Sequence, residues 1–84
     1  MTATPNPKQI DYLLGELCSR LGFCSIPPGE YDRLLAEPPT DVDDFTDAVF
    51  EAEGMDAADS QYRGLRAQVR DLVSRTFASH SAAP

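Results

Sequence analysis

Apolar residues recur along the chain every three or four positions, which is the period of an α-helix with one buried face. The pattern is most complete near the N-terminus, at Ile10, Leu13, Leu14, Leu17, Cys18 and Leu21. Asn6 suits the N-cap, Pro7 the first helical position, and Gln9 the third position of a capping box. Gly22 suits a left-handed C-terminal cap. These signals predict a first helix over residues 7–21.

Three further apolar stripes, separated by prolines and glycines, predict three more helices. Pro38 cannot continue a helix, so the second helix ends before it. Thr40 is the expected N-cap of the third helix, and Gly54 the expected end. Asp56 or Ser60 is expected to cap the last helix. The predicted bounds are 28–36, 41–53 and 57–79.

No segment alternates with a period of two, so no strand is expected. The chain is therefore predicted to be an all-α, compact four-helix domain over residues 6–79, with disordered tails over 1–5 and 80–84. The predicted core takes the apolar face of every helix: Ile10, Leu13, Leu14, Leu17, Cys18, Leu21, Leu34, Leu35, Val42, Phe45, Val49, Leu65, Val69, Leu72, Val73 and Phe77.

Charge divides the 84 residues into three parts, with a net charge of −7. Residues 1–29 are neutral, residues 30–59 hold eleven acids and one arginine, and residues 60–84 hold four arginines and one aspartate. A protein this acidic repels phosphate backbones and anionic membranes. Nucleic acid and membrane are therefore not expected partners.

The third predicted helix carries an acidic stripe opposite its apolar face. Its members are Asp43, Asp44, Asp47 and Glu51. The stripe predicts a docking face for a basic protein, and the alternative is a solvated surface that keeps the chain soluble. An EF-hand is not expected, because Phe45, Thr46 and Ala52 stand where calcium loops need a ligand, a glycine and a glutamate.

The last predicted helix carries an arginine stripe of Arg63, Arg66 and Arg70. These residues could anchor a protein partner, since arginine is enriched at interface hot spots. The alternative is intramolecular contact with the acidic third helix. A helix-turn-helix is not expected, because its recognition helix would be acidic.

Phe50 projects off the apolar face of the third predicted helix, and Tyr31, on the apolar face of the second, is not in the predicted core. They predict an exposed contact patch for a partner or a second copy of the chain. The alternative is that they close the ends of the core.

Cys18 and Cys24 are six positions apart, without the spacing of a redox motif. No secretory leader is recognisable, so free thiols and a cytoplasmic location are expected, with a local disulfide as the alternative. Two thiols and His80 are too few for a structural zinc site.

No residue pattern indicates catalysis or a cofactor. In size, acidity and helix number the chain resembles acyl carrier proteins, which attach phosphopantetheine to a serine. Asp59-Ser60 lacks the following leucine of their motif and lies far from mid-chain, so Ser60 is better explained as an N-cap.

The sequence thus predicts a non-enzymatic domain that acts through protein–protein interaction, as an adaptor, regulator or immunity-like partner. A homo-oligomeric structural protein is the first alternative, and a carrier or small-ligand domain the second.

Overall fold

The computed structural model describes residues 5–82, with the side chains of residues 79–82 left out of the description. This part of the chain forms four α-helices and no strand: α1 (Pro7–Leu21), α2 (Pro28–Ala36), α3 (Val42–Ala52) and α4 (Arg63–Ala82). A single 3₁₀ turn, Ser60–Tyr62, leads directly into α4. The predicted all-α four-helix fold is confirmed.

The capping signals of α1 act as predicted. The Asn6 side chain accepts a hydrogen bond from the Gln9 backbone N–H at 2.9 Å, and the Gln9 side chain accepts one from the Asn6 N–H at 3.0 Å. Gly22 has a φ of 77°, which a residue with a side chain rarely adopts, and its N–H reaches the Cys18 carbonyl at 3.0 Å.

Aspartate side chains change the predicted ends of the later helices. Asp41, not Thr40, is the N-cap of α3, and its carboxylate accepts hydrogen bonds from the N–H groups of the first turn. The last helix does not begin at residue 57. Asp56 accepts from the Ala58 N–H at 2.9 Å, and Asp59 accepts from the Gln61 N–H at 3.1 Å. These local turns compete with helix formation and delay α4 to Arg63.

The helices form an open ring. α1 packs against α2 and α4, and α4 packs against α3, whereas α2 and α3 are not a main packed pair. The buried hydrophobic residues include Ile10, Leu13, Leu14, Leu17, Phe23, Leu34, Phe45, Val49, Phe50, Val69 and Val73. Most of them were predicted, and predicted members such as Leu35 and Leu72 are only half-buried.

Phe50 is fully buried, so its predicted place on an exposed contact patch is wrong. The loop after α1 brings Phe23 against it, with ring centroids 5.3 Å apart. Tyr62, in the 3₁₀ turn, also packs against Phe50, with ring centroids 6.0 Å apart. Phe50 therefore belongs to the hydrophobic core, where it meets loop residues that a helical pattern does not predict.

Cys18 and Cys24 form a disulfide, which corrects the expectation of free thiols. Their Cα atoms are 4.6 Å apart because the left-handed turn at Gly22 folds the chain back over the end of α1. Cys18 is half-buried and Cys24 exposed. Phe23, which is buried, thus lies within the loop that the disulfide closes.

Pro5, which was predicted to lie in the N-terminal tail, is buried, and residues 80–82 continue the backbone of α4. The rest of the predicted tails, residues 1–4 and 83–84, lies outside the described residues. None of the described helices has the length and apolar character needed to cross a membrane.

Candidate functional site

The acidic stripe of α3 lies beside the arginine stripe of α4. An Arg66 terminal nitrogen is 2.8 Å from Asp47 Oδ1 and 3.7 Å from Asp43 Oδ1. Arg70 Nε donates to the same Asp43 oxygen at 2.7 Å. Four predicted partner-binding residues are therefore paired within the chain, as the intramolecular alternative expected.

The Arg70–Asp43 pair holds both of its partners in the charged state. The hydrogen bond from Arg70 lowers the pKa of Asp43 below its usual value, and nearby Arg66 adds to the effect. Reciprocally, the hydrogen bond to Asp43 raises the pKa of Arg70. The carboxylate is ionised at neutral pH and is already engaged. The first role of the Asp43 carboxylate is thus to connect α3 with α4, and recognition of a partner comes second.

The other members of the two charged stripes stay accessible. Asp44, Glu51 and Arg63 are exposed, and none of them forms an ion pair with another described side chain. Asp44 points about 100° away from Asp43 around the axis of α3, whereas Glu51 lies one turn beyond Asp47 on the same side of the helix. Asp44 and Glu51 are therefore the acidic residues of α3 that remain available to a partner.

Tyr31 is half-buried and joins α2 to α1. Its hydroxyl donates to the carboxylate of Asp11, twenty positions earlier in the chain. That hydrogen bond, with a smaller effect of burial, raises the pKa of Tyr31 to about 12. The hydroxyl is thus used within the fold, and Tyr31 is a tether between two helices as well as a surface residue.

A groove of about 530 Å³ lies between α2 and α3, where the helix ring is open. We call it the α2–α3 groove. Leu34 and Ala48 contribute apolar surface to it. Its charged residues are Glu30, Arg33, Glu37 and Glu51.

The charge of the α2–α3 groove is predominantly negative. Arg33 lies 3.8 Å from Glu30, in a weak exposed pair. Glu37 and Glu51 have no ion-pair partner among the described side chains. Sequence reasoning singled out Glu51 but missed Glu30 and Glu37. The high density of acids over residues 30–59 was their signal, but only the tertiary structure brings α2 beside α3.

The groove has the chemistry of an acidic binding surface. Its exposed carboxylates can accept hydrogen bonds from ammonium and guanidinium groups, and its apolar surface can contact the stems of such side chains.

The segment considered for calcium is helical from Val42, so it does not have the loop form of an EF-hand. Among the side chains of residues 5–78, no group of three or more histidine, cysteine or carboxylate side chains is arranged to hold a metal ion.

Ser60, considered as a carrier attachment point, is the exposed first residue of the 3₁₀ turn. Asp59 provides the N-cap there, so Ser60 itself is not the cap that the sequence suggested.

No protein-family model matches the chain, and comparisons with curated proteins and with solved structures also found no match.

Proposed function

We propose that this protein is a non-enzymatic interaction domain whose α2–α3 groove binds a basic segment of a protein partner. The observation that carries the proposal is the groove itself. It combines apolar surface from the half-buried Pro39 and Ala48 with the exposed carboxylates of Glu37 and Glu51. Apolar contact supplies affinity, and the charges select a basic partner.

The charge of the whole molecule supports the same class of partner. A net charge of −7 attracts a basic protein over a longer range than any single contact. Since α2 and α3 are not closely packed together, a partner helix or extended segment can lie between them without displacing an existing interface. Glu51 is the member of the predicted acidic stripe that lines this groove.

The test is titration with a synthetic amphipathic peptide of lysine and leucine, followed by NMR chemical-shift changes in the labelled protein. We expect salt-sensitive binding, with the largest changes at Leu34, Ala48 and Ala52 in the groove. Glu37→Gln and Glu51→Gln should each weaken binding several-fold.

Asp71→Asn is the matched control, because it removes one negative charge from α4, away from the groove lining. Equal weakening by Asp71→Asn and Glu51→Gln would show that only net charge matters. Chemical-shift changes spread over all faces of the protein would also contradict the proposal.

The disulfide indicates the kind of compartment in which the protein would meet such a partner. Disulfides persist mainly in oxidising compartments, so the expected cytoplasmic location loses its argument from free thiols. We propose instead that the protein works where the Cys18–Cys24 bond is maintained. Thiol labelling of protein taken from its native source, without reductant, tests this. Free thiols that take up the label in most molecules would contradict it.

A homo-oligomeric structural role has less support. Its basis in the sequence is apolar surface around Phe50 and Tyr31, and Phe50 is buried while Tyr31 is half-buried. Light scattering at high concentration is the direct measurement, and we expect a monomer because two copies of net charge −7 repel one another.

A further inference from the structure

A second groove, between α1 and α4, has a volume of about 560 Å³. We call it the α1–α4 groove. Half-buried Leu72 contributes apolar surface to its lining, whereas Leu13, behind it in the core, is only 1 % exposed. The ring of Tyr12 also lines it and is 71 % exposed, which makes Tyr12 the one exposed large hydrophobic side chain among the described residues. The groove therefore presents apolar surface that the fold itself leaves uncovered.

Cations surround this apolar surface. Lys8 and Arg20 line the groove from α1, and Arg75 lines it from α4. Glu16 is the one carboxylate in the lining, and its Oε2 is already 2.5 Å from Arg20 Nε. The groove is thus locally cationic on a protein whose net charge is −7. This charge is opposite to that of the α2–α3 groove.

The cations are accessible to a ligand. Lys8 forms no ion pair with another described side chain, and the Arg75–Asp71 and Arg20–Glu16 pairs are on the surface. The side chains of Arg20 and Arg75 are 61 % and 71 % exposed. Exposed pairs of this kind contribute little stability, so a ligand carboxylate can compete for these guanidinium groups.

We propose that the α1–α4 groove binds a small amphiphilic anion, specifically a linear aliphatic carboxylate. Its tail would lie on Leu72 and the Tyr12 side chain, and its carboxylate would meet the cations of Lys8 and Arg75. The volume falls within the range of about 300–1,000 Å³ that is typical of small-ligand sites. A single carboxylate gains the local attraction and suffers little of the long-range repulsion that a polyanion would meet.

The probe is decanoate, titrated by calorimetry below its micelle concentration. Decanol has the same tail without charge, and butyrate has the same head group with a short tail. We expect one decanoate to bind per chain, at least about tenfold more tightly than either comparison compound, a factor of ten being about 1.4 kcal/mol. Decanol binding as tightly as decanoate would remove the role of the cations.

Charge reversals locate the site. Lys8→Glu and Arg75→Glu should each weaken decanoate binding by about tenfold, a difference of about 1.4 kcal/mol. Arg33→Glu is the matched control, since it makes the same charge change in the α2–α3 groove. Circular dichroism of every variant verifies that α1 and α4 remain helical.

Three results would overturn the proposal: no decanoate binding by the unaltered protein, loss of binding in Arg33→Glu equal to that in Arg75→Glu, or NMR changes outside Gln9, Tyr12 and Thr76 of the groove. None of these results bears on peptide binding by the α2–α3 groove, so the two proposals fail independently.

Discussion

At the scale of single residues, neighbouring charges on one helix have different roles. Asp43 and Asp47 are paired with arginines of α4, whereas Asp44, between them in sequence, is exposed to solvent. The difference arises because successive residues of a helix point about 100° apart. A substitution at either kind of position removes the same charge but has a different structural consequence.

Asp43→Asn should lower the free energy of unfolding at neutral pH, because it removes the acceptor of Arg70. The folded-state pKa of Asp43 is lowered, so its contribution is present above the unfolded-state pKa and is lost as pH falls through the folded-state value. Urea denaturation across this acidic range measures the difference between the two proteins. Asp44→Asn is the control, and an equal effect of both substitutions would show that the ion pair is unimportant.

Tyr31→Phe should lower the free energy of unfolding by about 1 kcal/mol at neutral pH, through loss of the hydrogen bond to Asp11. Because folding raises the pKa of Tyr31 from 10.0 to about 12, this contribution is complete below pH 10 and declines as pH rises toward 12. The pKa of Tyr12 is also raised, by its hydrogen bond to Glu16, so ultraviolet titration is followed in a Tyr12→Phe background. There Tyr31→Phe should remove the tyrosine that ionises near pH 12, and persistence of that ionisation would refute the assignment.

At the scale of elements, the end of α1 is held in two ways. The left-handed Gly22 satisfies the last carbonyls of the helix, and the disulfide joins Cys18 to the loop. Together they place Phe23 in the core against Phe50. The connection between α1 and α2 is thus a structural element of its own.

Replacing both cysteines by alanine should destabilise the protein by about 2 kcal/mol, the loop-entropy expectation for a short closed loop. Thermal unfolding with and without a dithiol reductant measures the same quantity in the unaltered chain. The double variant is its own control, because the reductant should not change its melting temperature. An unchanged melting temperature of the unaltered protein would contradict a stabilising role of the disulfide.

Element boundaries show where local pattern suffices and where it fails. The two ends of α1 follow from Asn6 and Gly22, whose caps need only neighbouring residues. The predicted start of the last helix at residue 57 is wrong, because Asp56, an expected cap of that helix, closes a local turn and Asp59 closes the next one. Such side-chain turns compete with the helix, and apolar periodicity does not reveal them. Tyr62, in the 3₁₀ turn that follows, packs against Phe50.

At the scale of the whole molecule, Phe50 joins three parts of the fold. It lies on α3 and contacts the loop after α1 through Phe23 and the 3₁₀ turn through Tyr62. These contacts are distant in sequence, so they form only when the helices assemble. The chain therefore depends on a residue that the helical pattern places outside the core.

Phe50→Ala should cost about 3–5 kcal/mol, which is a large part of the stability of so small a domain. We expect the variant to be largely unfolded at physiological temperature, as measured by circular dichroism and urea denaturation. Tyr12→Ala, on the surface, should leave stability nearly unchanged. Similar stability of the two variants would place Phe50 outside the cooperative core.

The arrangement of the helix ring also produces the two grooves. α1 and α4 leave a cationic groove, and α2 and α3 leave an acidic one. The acidic groove draws Glu30 and Glu37 from α2 and Glu51 from α3. Sequence reasoning found Glu51 because it shares a helix face with other acids. It missed the residues of α2, since their proximity depends on packing.

The sequence by itself determined the helix number, the ends of α1 and most of the core, because these depend on periodicity and on caps formed between near neighbours. Tertiary structure alone decided that Phe50 is buried, that Asp43 and Asp47 are paired with arginines, and that Cys18 and Cys24 are bonded. These outcomes depend on which surfaces meet when the chain closes on itself. A one-dimensional pattern specifies the faces of each helix but not which faces come together.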